Sequence, residues 1–352
     1  MRRDRRGGLR SGVLAALVVV FTVAQGLPCG APRGDAKAGS AATARGVFTG
    51  SLADGIARMA QFEQWAGQGP LTVGRTFLPG DDWESIEGPP EFLAPWGAWR
   101  AARPGRTVVM NVPMLDRSEA HLPDAEVAAL LRDGADGRYD GHFRILAQRL
   151  VALGLADTEL VLGWEMNGIT YTHRCHPDPA RWRAYWRRVV DTMRAVKGQR
   201  FRFDFAPNRG RDAVPWTSCY PGDAYVDVIG MDAYDHPAGT TFRQQADEPY
   251  GLRDHVAFAE RHHKPFAYPE WGLYRNGDNP AYMRGMLDWF RERRPLHQAL
   301  TDYCPHGVWS CPGNEAAARV YRAGRAAARA RRRTARTALT TGNVVNGGSN
   351  TW

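Results

Sequence analysis

The chain has no Cys-x-x-Cys pair, no glycine-rich phosphate loop after its first strand-like run, and no apolar stretch long enough to span a membrane. The first absence disfavours a zinc site of the finger or ribbon type. The second removes the signal that would favour an open dinucleotide-binding sheet. The third bears on the N-terminus, where the apolar stretch Val13–Val23 is too short and too soon interrupted for a permanent span. Net charge is also lacking where it would matter. The whole chain carries +9, but residues 1–10 hold +4 and residues 324–352 hold +6, so the body between them sums to −1. A nearly neutral body gives no reason to expect a nucleic-acid partner.

The ends read as accessory segments. Arg2, Arg3, Arg5, Arg6 and Arg10 precede the apolar stretch, and Ala24-Gln25-Gly26 offers small residues for cleavage. Residues 1–26 are therefore expected to be a secretory signal peptide, an uncleaved anchor being the alternative. Residues 27–45 are expected to form a flexible linker, and residues 323–352 a basic tail without a packed core. Export permits disulfides. Cys304 and Cys311, seven apart, are expected to pair locally, and a bridge between Cys175 and Cys219 is plausible, although spacing alone leaves connectivity open.

In the body, residues 46–322, strand-like and helix-like runs alternate. Strands are expected at 46–49, 71–78, 106–114, 159–167, 201–207, 226–234, 265–272 and 297–303. Several are continuous apolar runs such as VDVIGM, as in strands covered on both faces. Over 178–197, Trp182, Tyr185, Trp186, Val189, Val190, Met193 and Val196 recur at helical spacing behind Asp178-Pro179, a cap followed by proline at the first helical position. Asn279-Pro280 opens another helix in the same way, and a third, over 141–153, ends at Gly154. Eight such units predict an α/β fold, a single (β/α)₈ TIM barrel.

Two glutamates end apolar runs: Glu165 in LVLGWEMNG and Glu270 in PFAYPEWG. A carboxylate placed there costs stability unless it is paired or used. In a barrel, both would fall at the C-terminal ends of strands, the fourth and the seventh, where catalytic groups collect. Paired carboxylates across a barrel mouth suit hydrolysis of a glycosidic bond. Twelve tryptophans invite a ligand with flat faces.

The segments GWEMNG at 163–168, YPGDAYVDVIGMDAYD at 220–235 and PEWG at 269–272, in this order, resemble glycoside hydrolase family 26, in the clan of retaining (β/α)₈ glycosidases. The resemblance runs over roughly 46–322. It implies Glu165 as the general acid/base, Glu270 as the nucleophile, and a β-linked polysaccharide or oligosaccharide as substrate, foremost β-1,4-mannan. Tyr234 is expected to donate a hydrogen bond to the nucleophile. Asn208 and Arg209 are candidate contacts to sugar hydroxyls, Arg209 being equally an ion-pair partner. Asn167 is placed to hold the loop or touch substrate. Trp83, Trp271 and Trp309 are candidate stacking platforms, ordinary packing being an equal reading for each. One departure stands beside the acid/base: mannanases of the family usually carry histidine where this chain has Trp164, which leaves the identity of the sugar open. His173 and His176 are expected to be loop histidines, since retaining hydrolysis needs no metal or other cofactor. The expected protein is a secreted monomer; the rivals are the same chemistry on xylan, β-glucan or a cell-envelope polymer, and a non-catalytic carbohydrate-binding barrel.

Overall fold

The computed structural model describes residues 42–324. The expected signal peptide, nearly all of the linker and almost all of the basic tail lie outside the described residues.

Nine strand segments alternate with helices: β1 Ala44–Phe48, β2 Val73–Phe77, β3 Thr107–Val112, β4 Glu159–Leu162, β5 Arg202–Phe205, β6 Val228–Ile229, β7 Asp232–Tyr234, β8 Tyr268–Gly272 and β9 His297–Thr301. All pair in parallel, in the order β6-β5-β4-β3-β2-β1-β9-β8-β7. β6 and β7 are two stretches of one barrel strand. Between them, Gly230 N–H donates to Phe205 O on one side at 3.0 Å, and Met231 N–H to Ala267 O on the other at 3.1 Å. Bridges Asn208–Asp232 and Ile229–Phe266 stitch the same strand to both neighbours. The ring is thus an eight-stranded (β/α)₈ barrel with its sixth strand interrupted. Each of the eight expected strands is present, most of them shorter than the apolar run that announced it. β1 starts two residues earlier than expected, inside the segment read as linker.

The helices form where caps and periodicity put them. The helix Pro179–Arg194 starts on Asp178, whose side chain accepts from Arg181 N–H, and it buries Trp182, Tyr185, Trp186, Val189, Val190 and Met193 against the strands. The helix Pro280–Arg293 starts on Asn279 in the same way, its side chain accepting from Tyr282 N–H. Leucines such as Leu146 and Leu150 of the helix Asp140–Ala152 are fully buried; burial of one such side chain stabilises by about 1.5–3 kcal/mol. Removing a large one such as Trp186 would cost about 3–5 kcal/mol through the cavity it leaves.

Alternation along the strands sorts residues into two cores. Val108, Met110, Leu160, Leu162, Phe203 and Phe205 face the helices. The inner set is small: Val73, Val109, Val161, Trp164 and Ala206. The rest of the inward positions are polar and buried, among them Arg75, Asn111, Glu159, Asp204, Asp232 and Glu270. β8 carries a register shift against β9 between Tyr268 and Trp271. That bulge lets Tyr268 and Trp271 both pack outward while Glu270 points into the barrel.

Both expected disulfides are present, Cys175–Cys219 and Cys304–Cys311. No helix among the described residues is long and apolar enough to cross a membrane.

Candidate active site

Glu165 follows β4 in a turn where both Gly163 (φ 55°) and Glu165 itself (φ 50°) take the left-handed conformation. Glycine adopts it freely, whereas glutamate does so at a cost of about 1–2 kcal/mol. Strain of this kind clusters at functional sites. The turn is held from several sides. Glu165 N–H donates to Ala206 O at 2.8 Å, and Cys175 N–H to Met166 O at 2.7 Å, beside the disulfide to Cys219. His173 Nε2 lies 3.0 Å from Trp164 O. A carbonyl can only accept, so that nitrogen carries the proton. Burial lowers the His173 pKa to about 4, so the ring is neutral near pH 7.

The two glutamates sit in opposite environments. Burial pushes the Glu165 carboxyl up to about 8, and the charges of Glu270 and Asp212 add to the shift. Glu270 instead receives three donors: Arg75 Nη2 to Oε1, Asn111 Nδ2 to Oε1 and the Tyr234 hydroxyl to Oε2, each at 2.8 Å. These three bonds fix the orientation of the Glu270 side chain. The Tyr234 hydroxyl also contacts Thr301 Oγ1 at 2.7 Å. With the tyrosine proton committed to Glu270, the threonine is the donor in that second bond. Asp232, paired with Glu270 in the β7–β8 register, is buried, and both its carboxylate oxygens are without hydrogen-bond partners.

Next to these groups lies an open cavity of about 460 Å³, lined by Phe77, Asp81, Glu119, Trp164, Tyr171 and Tyr303 among others. Tyr171 and Tyr303 both feel the charges of Glu165 and Glu270, which ties the cavity to the carboxylate pair. Apolar walls with a few polar groups suit a small ligand or a chain of sugar rings.

Residues 164–248 match the family model described as glycosyl hydrolase family 26. Solved structures agree on the fold. The YdhT protein of Bacillus subtilis is 16% identical, with a TM-score of 0.57 over 80% of this chain and 84% of that one. Bacillus subtilis mannanase BCman is 17% identical, with a TM-score of 0.58 over 80% and 84%. The family 26 β-mannanase BoMan26A of Bacteroides ovatus is 15% identical, with a TM-score of 0.60 over 80% and 88%. Comparison with curated protein sequences gives no match. The matched segment spans the first two of the motifs read from the sequence and leaves β8 with Glu270 outside it.

The residues singled out from sequence fall into two groups. Trp164 and Tyr234 lie with the glutamates, one lining the cavity and one bonded to Glu270. Asn167 is fully buried and ties the Glu165 loop to the next strand. Its Nδ2 donates to Asn208 O and its Oδ1 accepts from Asn208 N–H, each at 2.9 Å. Asn208 Nδ2 meets Asp212 Oδ2 at 3.0 Å.

The other group corrects the sequence reading. Arg209 is buried, ion-paired to Glu248 and donating to the carbonyls of Tyr234 and His236, so its guanidinium is spent on the loop. Trp271 has no exposed surface; it donates to Gln298 Oε1 and packs on Phe290. Trp83 stacks on Tyr139 and His142, and Trp309 packs against Phe62 and Arg58. These three rings serve packing; the cavity's aromatics are Phe48, Phe77, Trp164, Tyr171 and Tyr303 instead. His176 pairs with Asp124 at 3.0 Å.

Sequence reasoning missed Arg75, Asn111, Tyr171 and Tyr303. Arg75 and Asn111 carried a signal: each is polar inside an otherwise apolar strand, VGRTF and TVVMNV, at an inward-facing position. The two tyrosines carried none.

Proposed function

We propose that the protein is a secreted retaining endo-β-glycosidase that cleaves an extracellular β-linked polysaccharide, foremost β-1,4-mannan, by double displacement. Glu165 is the acid/base and Glu270 the nucleophile. The observation that carries this reading is the asymmetry of the pair: one carboxyl pushed up to about 8 by burial, the other bonded by an arginine, an asparagine and a tyrosine. At neutral pH, Glu165 holds the proton that the departing glycosidic oxygen requires, while Glu270 is free to attack the anomeric carbon. Glu165, now ionised, takes a proton from water as that water opens the glycosyl-enzyme.

Mannan is the first choice because mannanases stand among the similar structures. Trp164 favours a second reading, the same chemistry on xylan, β-glucan or an envelope polymer, because its ring fills the cavity wall against Phe77 and Tyr171. Secretion accords with two disulfides and with no membrane-crossing helix among the described residues. A monomer is proposed along with it.

The test is purified protein on mannan, xylan, mixed-linkage glucan and laminarin, with products resolved by chromatography and the anomer formed first read by NMR. Hydrolysis of mannan with retention supports the proposal. Inversion overturns the mechanism, hydrolysis of a different glycan alone overturns the sugar, and binding without turnover makes the protein a lectin-like barrel. Azide should restore turnover of an activated glycoside to Glu165→Ala as the β-azide.

A further inference from the structure

At the N-terminal ends of the strands, away from Glu165, lies a second polar cluster that hydrolysis does not use. Glu159 is the first residue of β4 and His297 the first of β9, while Asp204 lies on β5. Each offers a ligand atom, and these atoms lie within 4.8 Å of one another. Glu159 and Asp204 have no exposed surface and His297 only 2%. Both Asp204 oxygens lack a hydrogen-bond partner. Buried carboxylates without donors are costly, and in native structures such an orphan marks an ion or water that satisfies it.

Charge points the same way. Four carboxylates, Glu159, Asp204, Asp232 and Glu270, are buried in the barrel. Arg75 pairs with Glu270 at 2.8 Å, and Glu159 is held by Arg202 at 3.0 Å and by His297. The carboxylates of Asp204 and Asp232 have no hydrogen-bond partner, and a divalent ion beside Asp204 would supply the missing positive charge. We propose that Glu159, Asp204 and His297 bind a single divalent transition-metal ion that staples β4, β5 and β9 at the base of the barrel. An imidazole nitrogen with carboxylate oxygens suits Zn²⁺ or Mn²⁺ better than Ca²⁺ or Mg²⁺, which prefer all-oxygen sets. The ion takes no part in glycoside cleavage.

The test is metal content and thermal unfolding of the full chain, refolded with Zn²⁺, with Mn²⁺, or with EDTA. The proposal expects about one Zn²⁺ or Mn²⁺ per chain after dialysis, a Tm raised by about 5 °C over the EDTA sample, and loss of both in Asp204→Asn. It is overturned if neither metal is retained. It is also overturned if Asp204→Asn binds as well as the wild type, which would place the ion elsewhere, or if the variant matches the wild type in Tm under every condition, as a neutral Asp204 would allow. Should the variant fail to fold, anomalous diffraction from wild-type crystals at the zinc edge decides: a peak between the three side chains supports the site, and its absence overturns it.

Discussion

Arg75 and Glu270 are 195 residues apart in sequence and meet inside the barrel, Nη2 to Oε1 at 2.8 Å, with the guanidinium wholly buried. Arg75 also donates through Nε to Pro269 O at 2.8 Å, so it fixes both the carboxylate and the backbone that carries it. Removing one partner of a buried pair leaves the other charge uncompensated, at about 3–5 kcal/mol. Arg75→Met should lower the urea midpoint accordingly and reduce kcat more than it raises KM. An unchanged kcat in a folded variant would detach Arg75 from the nucleophile.

The Glu165 carboxyl predicts the alkaline limb of the pH profile. Activity through a general acid is present below the raised pKa and lost as pH rises through it, so kcat/KM should fall with a midpoint near 8. Stability has the same sign. A carboxyl raised from 4.5 to about 8 favours the folded state below its unfolded pKa, and that contribution is lost between those values as pH rises. Glu165→Gln stays neutral. Its unfolding free energy should therefore decline less than the wild type's from pH 5 to 9, while its kcat/KM on an unactivated glycan drops about 10²–10⁴-fold.

Tyr234→Phe removes one of three donors to Glu270 and leaves the Thr301 hydroxyl without its acceptor. A hydrogen bond to a charged group contributes about 1.5–3 kcal/mol, so kcat/KM should fall roughly 10- to 100-fold with the fold intact by circular dichroism.

The tryptophans separate by what each touches. Trp271→Ala should destabilise the barrel by about 3–5 kcal/mol, with KM for a long oligosaccharide unaltered in whatever protein remains folded. Tyr303, 47% exposed at the cavity, should behave oppositely: Tyr303→Ala should raise KM about 3- to 10-fold with little change in Tm. Equal effects on KM from both variants would reverse the assignment.

Cys175–Cys219 closes 44 residues of chain beside the turn that carries Glu165. In the chain-entropy account, opening it costs about 4 kcal/mol. The double variant Cys175→Ser/Cys219→Ser should unfold correspondingly earlier in guanidinium chloride and lose activity at a lower temperature than the wild type.

Much of this architecture was readable along the chain. Continuous apolar runs, Asp178-Pro179 and Asn279-Pro280 as helix starts, and eight strand signals all lead to a barrel, because each depends on neighbours a few residues apart. The glutamates were readable for the same reason, as carboxyls that local apolar sequence leaves without partners. The supporting shell was not. Arg75 is useful to Glu270 only because barrel closure brings β2 and β8 to face one another, and Asn111 joins them from β3. The tryptophans misled because sequence gives an aromatic residue but not its direction. The bulge in β8 sends Trp271 toward Phe290 and Glu270 inward.

Sequence by itself determined the elements, their order and the two carboxylates, since these rest on periodicity, capping and residue chemistry that act over short range. Only the tertiary structure decided what surrounds each carboxyl. The difference between them arises from burial around Glu165 and from three donors around Glu270, brought from β2, β3 and β7. Desolvation and hydrogen bonding depend on what surrounds a group in space, and closure of the ring is what supplies it.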